Sequence, residues 1–282
     1  MKLPFFLASR FVAAETLDGA VPEVQRLNGK GLHVTLDLLG EYVSEREVAL
    51  SALDAYKNLL HVIAERGLDA NISIKLSMLG QKIDHDFGLA NLRQLLPVAK
   101  EHNIFVRLDM EGSDITESTL AMFEDVYPDY PDHVGVVLQA YLHRTAQDIE
   151  RMCALKARVR LCKGAYAEPA SIAYPKMDDI RTRYIDYMQA LIQHARYPGI
   201  ATHDDLLIDA TKRFVNERHI PSEQFEFQML YGIRADTQER IVREGYNLRV
   251  YVPYGTDWWP YYSRRLRELK TLGFIFRNAL RG

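Results

Sequence analysis

Three groups of residues in this sequence have types and spacings that could do chemistry together. Arg160-Leu161-Cys162-Lys163-Gly164-Ala165-Tyr166 ends an apolar run in a Lys-Gly turn. Glycine there lets backbone N–H groups and a cation approach a phosphate or flavin closely. Tyr261-Tyr262-Ser263-Arg264-Arg265-Leu266-Arg267-Glu268 reads as helix, and spacings of three and four bring Tyr261, Arg264, Arg265 and Glu268 within reach of one another. Adjacent arginines suit a small carboxylate, because a guanidinium stays charged and grips it with two parallel N–H···O bonds. Lys75, Asp109, Gln139, Thr202-His203 and Tyr251 form the third group, each at the end of a short apolar run. Every one of these has a plainer structural reading: a turn glycine, a solvated basic helix face, an internal ion pair, a satisfied core histidine.

The elements that must position them alternate. Eight runs have strand chemistry: Leu32 to Leu39, Asn71 to Met78, Ile104 to Met110, Val134 to Leu142, Arg158 to Cys162, Ile200 to His203, Phe225 to Leu230 and Leu248 to Val252. Between them lie segments of helical period, such as Val48, Ala52, Leu53, Tyr56, Leu60 and Ile63, or Ile180, Tyr184, Met188, Leu191 and Ala195. Eight β–α units in about 250 residues fit an α/β fold of the (β/α)8 TIM type better than an open sheet. Residues 1–31 read as a short N-terminal helical lead-in and residues 32–282 as one barrel domain, with no linker or low-complexity tract between.

Side chains alternate faces along a strand, so Ser73, Lys75 and Ser77 face the barrel axis, as do Arg107, Asp109 and Glu111. The same parity turns inward Gln139, Thr35 with Asp37, Arg158 with Arg160, Glu226 with Gln228, and Arg249 with Tyr251. That interior is too polar for packing alone, and a bound molecule is expected to satisfy it. The groups nearest the C-terminal strand ends lie where barrel enzymes do chemistry, so an enzyme is expected.

Composition excludes several classes. With 35 Lys+Arg against 38 Asp+Glu the chain is near neutral, which removes the electrostatic footprint of a nucleic-acid binder. Cys153 and Cys162 lack disulfide or metal-ligand spacing and point to a reduced, intracellular setting with no metal centre. The start, Met1 to Arg10, is interrupted too early for a signal peptide, and no apolar run spans a bilayer. Neither GxGxxG after the first strand nor GxxxxGK[ST] occurs, which disfavours Rossmann and P-loop enzymes.

Taken in order, Leu36-Asp37-Leu38-Leu39-Gly40-Glu41, Ile74-Lys75-Leu76-Ser77, Leu108-Asp109-Met110-Glu111, Leu138-Gln139-Ala140-Tyr141, Arg160 to Tyr166, Ala201-Thr202-His203, Glu226 to Gly232 and Tyr261 to Arg265 resemble the proline dehydrogenase family, over most of the chain. The resemblance implies a distorted barrel that holds FAD noncovalently. It implies oxidation of L-proline to Δ1-pyrroline-5-carboxylate, the first step of proline catabolism, by hydride transfer from C5 to flavin N5, with a quinone as electron acceptor. By the same resemblance Lys75, Arg264 and Arg265 bind the proline carboxylate, while Leu230, Tyr251 and Tyr261 pack on its ring and Tyr166 supports the site. Met110, Val137, Gln139, Arg160, Lys163, Gly164, Ala165, Thr202, His203 and Glu268 surround the cofactor, with Arg160 beside N5 and Asp109 as the buried carboxylate among the cations.

The family pattern further implies a cytoplasmic protein in transient peripheral contact with the inner face of a membrane, through Leu3 to Val12 or Leu272 to Phe276. A separate pyrroline-5-carboxylate dehydrogenase is implied for the next step, since no aldehyde dehydrogenase module follows before Gly282. Cys162 departs from the pattern, standing where many relatives carry an aliphatic residue, and the turn from Tyr251 to Tyr261 is shorter than in bifunctional relatives. Three other readings stay open on the residues alone. They are a Schiff-base enzyme using Lys75 or Lys163, a metal hydrolase using Asp109, Glu111, His203 and Asp204, and a binding barrel with internal salt bridges.

Overall fold

The computed structural model describes residues 4–271, and the side chains of residues 4–266. The eight strands are β1 (His33–Leu38), β2 (Ala70–Ile74), β3 (Val106–Leu108), β4 (Val134–Gln139), β5 (Val159–Cys162), β6 (Gly199–Ala201), β7 (Glu226–Leu230) and β8 (Leu248–Tyr254). They run parallel and close in sequence order into a barrel, β8 pairing with β1 through Thr35 with Tyr251 and Leu36 with Val252. The crossovers are α2 (Arg46–Glu65), α3 (His85–Glu101), α4 (Thr116–Val126), α5 (Thr145–Ala154), α6 (Met177–His194), α7 (Asp205–Glu217) and α8 (Ala235–Arg243), with α1 (Leu17–Asn28) before β1 and α9 (Trp258–Thr271) after β8. This is the expected (β/α)8 fold.

Strand residues such as Val34, Leu36, Ile72, Ile74, Val106 and Leu108 are buried outward against the crossover helices, in one continuous core. In α2, Ala49, Ala52, Leu53, Tyr56, Leu60 and Ile63 form the core stripe, whereas Val48 lies to one side of it and is 46% exposed. In α6, Ile180, Tyr184, Met188 and Leu191 are buried, and Ala195 lies just past the helix in extended backbone. The second strand ends at Ile74 rather than running to Met78. From Lys75 the chain turns, with the Met78 N–H on the Lys75 carbonyl at 3.0 Å.

The lead-in contributes to the barrel: α1, capped by the Thr16 side chain, buries Ala20, Val24 and Leu27 in the main core. Ahead of it, Ala8, Phe11 and Val12 join Leu39, Trp258 and Tyr261 in a second apolar cluster. Leu39 follows β1 at its C-terminal end, so this cluster seats α9 at the mouth of the barrel. Gly232 permits the arrangement. At φ +72°, a Cβ there would stand 1.6 Å from the Arg10 carbonyl, so only glycine lets the β7 exit and the N-terminal segment touch.

Among the described residues no helix is long and apolar enough to cross a membrane. Leu3, Leu272 to Phe276 and the side chain of Glu268 lie outside the described residues.

Candidate active site at the mouth of the barrel

Parity along the strands delivers the polar side chains to the axis, and they fall into two layers with different chemistry. In the floor, Glu226 of β7 accepts from Arg249 Nε of β8 at 2.8 and 3.0 Å and from the Gln228 amide. Arg249 also donates to the Val34 carbonyl at 2.8 Å. Arg107 donates to the carbonyls of Val136 and Arg158, and the Arg107 and Arg158 guanidinium groups lie over the Phe105 ring. This narrows the expectation that a ligand satisfies the whole interior: Glu226 and Arg249 bond each other and Arg107 bonds backbone carbonyls, whereas Arg107 Nε and Arg158 Nε are buried without a hydrogen-bond partner among the described residues.

At the mouth the partners differ. Asp109, just past β3, accepts from Arg160 Nη1 and from the Tyr251 hydroxyl, both at 2.7 Å, and its own N–H continues the ladder onto the Ile74 carbonyl. Arg160 also donates to Ser73 Oγ at 3.1 Å and to the side-chain oxygen Oε1 of Gln228, and lies 5.2 Å from the Tyr251 ring centre. Lys75 donates to Asp37 at 2.9 Å with its side chain only 7% exposed. Burial works against its charge, but Asp37 and Asp109 more than reverse that and raise its pKa above the ordinary lysine value. It is an ammonium at working pH. A Schiff-base role needs a neutral amine, so the structure speaks against Lys75 in that role.

From α9, Arg264 donates two hydrogen bonds to the Glu41 carboxylate beyond β1 and stands 5.7 Å from the Tyr166 ring centre. Burial opposes the Arg264 charge, and Glu41, Tyr166 and Tyr251 together raise its pKa, which ties the helix to the strand ends electrostatically. The next residue, Arg265, lies 5.2 Å from the Tyr261 ring centre one turn earlier, realising the expected spacing of four.

The third quarter holds cations and neutral donors. Lys163 pairs with Asp204 at 3.1 Å, and Asp204 also takes Arg181 and caps α7. His203 is partly buried and accepts the Leu230 N–H on Nε2 at 2.9 Å, which leaves Nδ1 as its donor. Burial, with Arg265, Arg234 and Lys163 adding to it, holds its pKa at about 3, so the ring is neutral at working pH. The Gln139 amide donates to the Glu111 carbonyl at 2.9 Å. Gly164 has φ +119°, and a Cβ there would meet the Tyr141 ring at 2.2 Å, so both its backbone and its packing demand glycine.

A proline dehydrogenase family model matches residues 20–271 of this chain. The chain belongs to the proline dehydrogenase family. It is 42% identical to proline dehydrogenase 1 of Bacillus subtilis (strain 168) over 275 residues, 97% of this chain and 91% of that protein. It is 40% identical to the proline dehydrogenase of Deinococcus radiodurans over 281 residues, 98% of this chain and 91% of that one. Proline utilization A from Bdellovibrio bacteriovorus shares the fold with a TM-score of 0.88 at 24% identity, over 94% of this chain and 33% of that longer one. The chain is therefore an oxidoreductase of this family.

Lys75, Asp109, Arg160 and Tyr251 thus come together around one point, with Tyr166, Tyr261, Arg264 and Arg265 arriving from the β5 exit and α9. Sequence reasoning assigned no role to two groups of this constellation. Glu41, the partner of Arg264, carried a signal, as an acid directly after a strand-end glycine. Asp37 was placed inward, but not against Lys75. Asp109, Glu111, His203 and Asp204 do not form a metal set: among the described residues no three His, Cys, Asp or Glu side chains are grouped to hold an ion.

Proposed function

We propose that this member of the family binds L-proline and noncovalent FAD at the mouth and oxidises proline to Δ1-pyrroline-5-carboxylate, the first step of proline catabolism. The observation that carries the reading is the convergence of three cations, Lys75, Arg264 and Arg265, with the aromatic rings of Tyr166, Tyr251 and Tyr261. A small ring with one carboxylate matches that set: the cations grip the charge, while the tyrosines and Leu230 wall the ring.

The neighbouring donors fit a flavin. Arg160, Lys163, Gln139, Thr202 and neutral His203 stand at three consecutive strand ends, and offer two cations, an amide, a hydroxyl and an N–H to a group rich in acceptors. Met110, Val137, Gly164 and Ala165 supply the apolar and close-packed side of that site, and Glu268 is assigned to it by the family pattern. When bound, FAD would supply the acceptor for a hydride lost from proline C5, with a quinone as final oxidant. Arg160 stabilises negative charge in that quarter, and Asp109 fixes the Arg160 fork and the Tyr251 hydroxyl in place. Lys75 and the two arginines hold the carboxylate so that C5 is presented in one orientation.

The quinone reading brings the protein to the inner face of a membrane by peripheral contact. Phe6 is 72% and Trp259 50% exposed, beside the cluster that seats α9, and they supply an apolar surface for that contact.

The test is the visible spectrum of FAD-loaded protein before and after L-proline in the absence of oxygen. Flavin bands that bleach support the reading. Bands that persist refute proline as the reductant.

A further inference from the structure

We propose that Glu168 is a positioning residue for this active site: it arches from the β5 exit to the β3 exit and thereby holds the loop that carries Tyr166. The inference rests on the function proposed above. Strands β3 and β5 are not neighbours, since β4 lies between them in the barrel. The Glu168 carboxylate nevertheless takes the Ser113 N–H at 2.8 Å and the Ser113 hydroxyl at 2.7 Å. Ser113 stands four residues after Asp109, and Glu168 two residues after Tyr166 and five after Lys163. One side chain therefore ties the loop bearing the central carboxylate to the loop bearing the aromatic and cationic groups.

Under the arch lies the exit of β4. There the Tyr141 ring occupies the space that a Cβ on Gly164 would need, and the charge of Glu168 lies close enough to add to the effect of burial on the Tyr141 hydroxyl. The far side of the β5–α6 loop is fastened separately. The Tyr174 N–H reaches the Tyr141 carbonyl at 2.8 Å, and the His143 N–H reaches the Ile172 carbonyl at 2.9 Å. Between those ties and the end of β5 the chain has no regular structure, and Tyr166 sits in that stretch with its ring 5.7 Å from the Arg264 guanidinium. Hydrogen bonds to a carboxylate are among the stronger kind, so two of them on one partner can fix such a loop. Glu168 acts on substrate through Tyr166, not by contact.

The experiment uses the FAD-loaded full chain. Glu168→Ala is expected to raise KM for L-proline about tenfold while kcat stays within about twofold, as loss of ground-state positioning requires. Glu168→Gln keeps an oxygen for the Ser113 N–H and should stay within about threefold of the parent. In a Tyr166→Ala background Glu168→Ala should add less than about twofold, because residues acting as one unit are not additive. Hydrogen exchange of the 163–170 stretch should quicken in Glu168→Ala with or without proline. Independent, multiplicative KM effects would overturn the proposal, as would unchanged exchange. If the parent flavin fails to bleach with L-proline, the substrate reading is what fails, and the exchange comparison still decides the arch.

Discussion

Replacing Glu226 with glutamine tests whether the barrel floor is a structural layer or part of the ligand site. Glu226 is 2% exposed and bonded to Arg249 through both oxygens, at 2.8 and 3.0 Å. Burial alone would push its carboxyl up, but Arg249 and the Gln228 amide overturn that and hold the pKa at about 2, against an ordinary 4.5. Because the folded value is depressed, the stabilisation is complete above the ordinary pKa and is lost as pH falls toward about 2. A drop of that size corresponds to about 3 kcal/mol at pH 7, of which about 2 kcal/mol is gone by pH 3. Urea unfolding of the FAD-loaded protein and of Glu226→Gln, run at both pH values, should give a gap of about 3 kcal/mol that narrows on acidification. KM for L-proline at pH 7 should stay within about twofold. A gap independent of pH would refute the linkage, and a large change in KM would place Glu226 in the ligand site.

Asp109→Asn keeps an acceptor but removes the charge that Arg160 and Tyr251 share, and kcat/KM should fall by about tenfold or more in steady-state assays. An unchanged value would show that Asp109 does not organise the site. Arg265→Met should raise KM for L-proline about tenfold while the flavin content, read from the absorbance ratio, stays the same. Equal KM would sink the carboxylate clamp. Gly232→Ala forces a side chain into a left-handed conformation against the Arg10 carbonyl and should cost about 1–3 kcal/mol, visible as a thermal midpoint several degrees lower. An unshifted midpoint would mean that the N-terminal segment does not dock there.

The eight strands were legible because a strand buried on both faces reads as a short apolar run, and helical periods separate one run from the next. Their ends were less so. Lys75-Leu76-Ser77-Met78 continues the alternation of β2, yet the chain turns at Lys75 because its backbone bonds close locally rather than across the sheet. Parity identified Lys75, Asp109, Arg160 and Tyr251, since it fixes the face a side chain takes. Parity does not fix partners, which is why Arg249 and Glu226 read only as inward polar groups awaiting a bound molecule, although they bond each other. Partners separated by long stretches of chain were hidden for a related reason. Glu41 meets Arg264 across 223 residues and Glu168 meets Ser113 across 55, and nothing local in the sequence encodes such a meeting.

The two layers are held by different means, and this bears on how the site works. In the floor, Glu226 bonds Arg249 across β7 and β8 and Arg107 bonds the carbonyls of Val136 and Arg158, so the strands that carry the mouth groups start from a cross-linked base. At the mouth, Asp109 and Lys75 are likewise fixed by strand-end partners, but Arg264 and Arg265 depend on α9, which rests on the smaller cluster around Phe11, Leu39, Trp258 and Tyr261. Of the three cations, Lys75 therefore belongs to the barrel wall, while Arg264 and Arg265 belong to a helix seated on that second apolar cluster. Arg264 adds a charged tie to that apolar seat, since its two hydrogen bonds to Glu41 fasten α9 to the exit of β1.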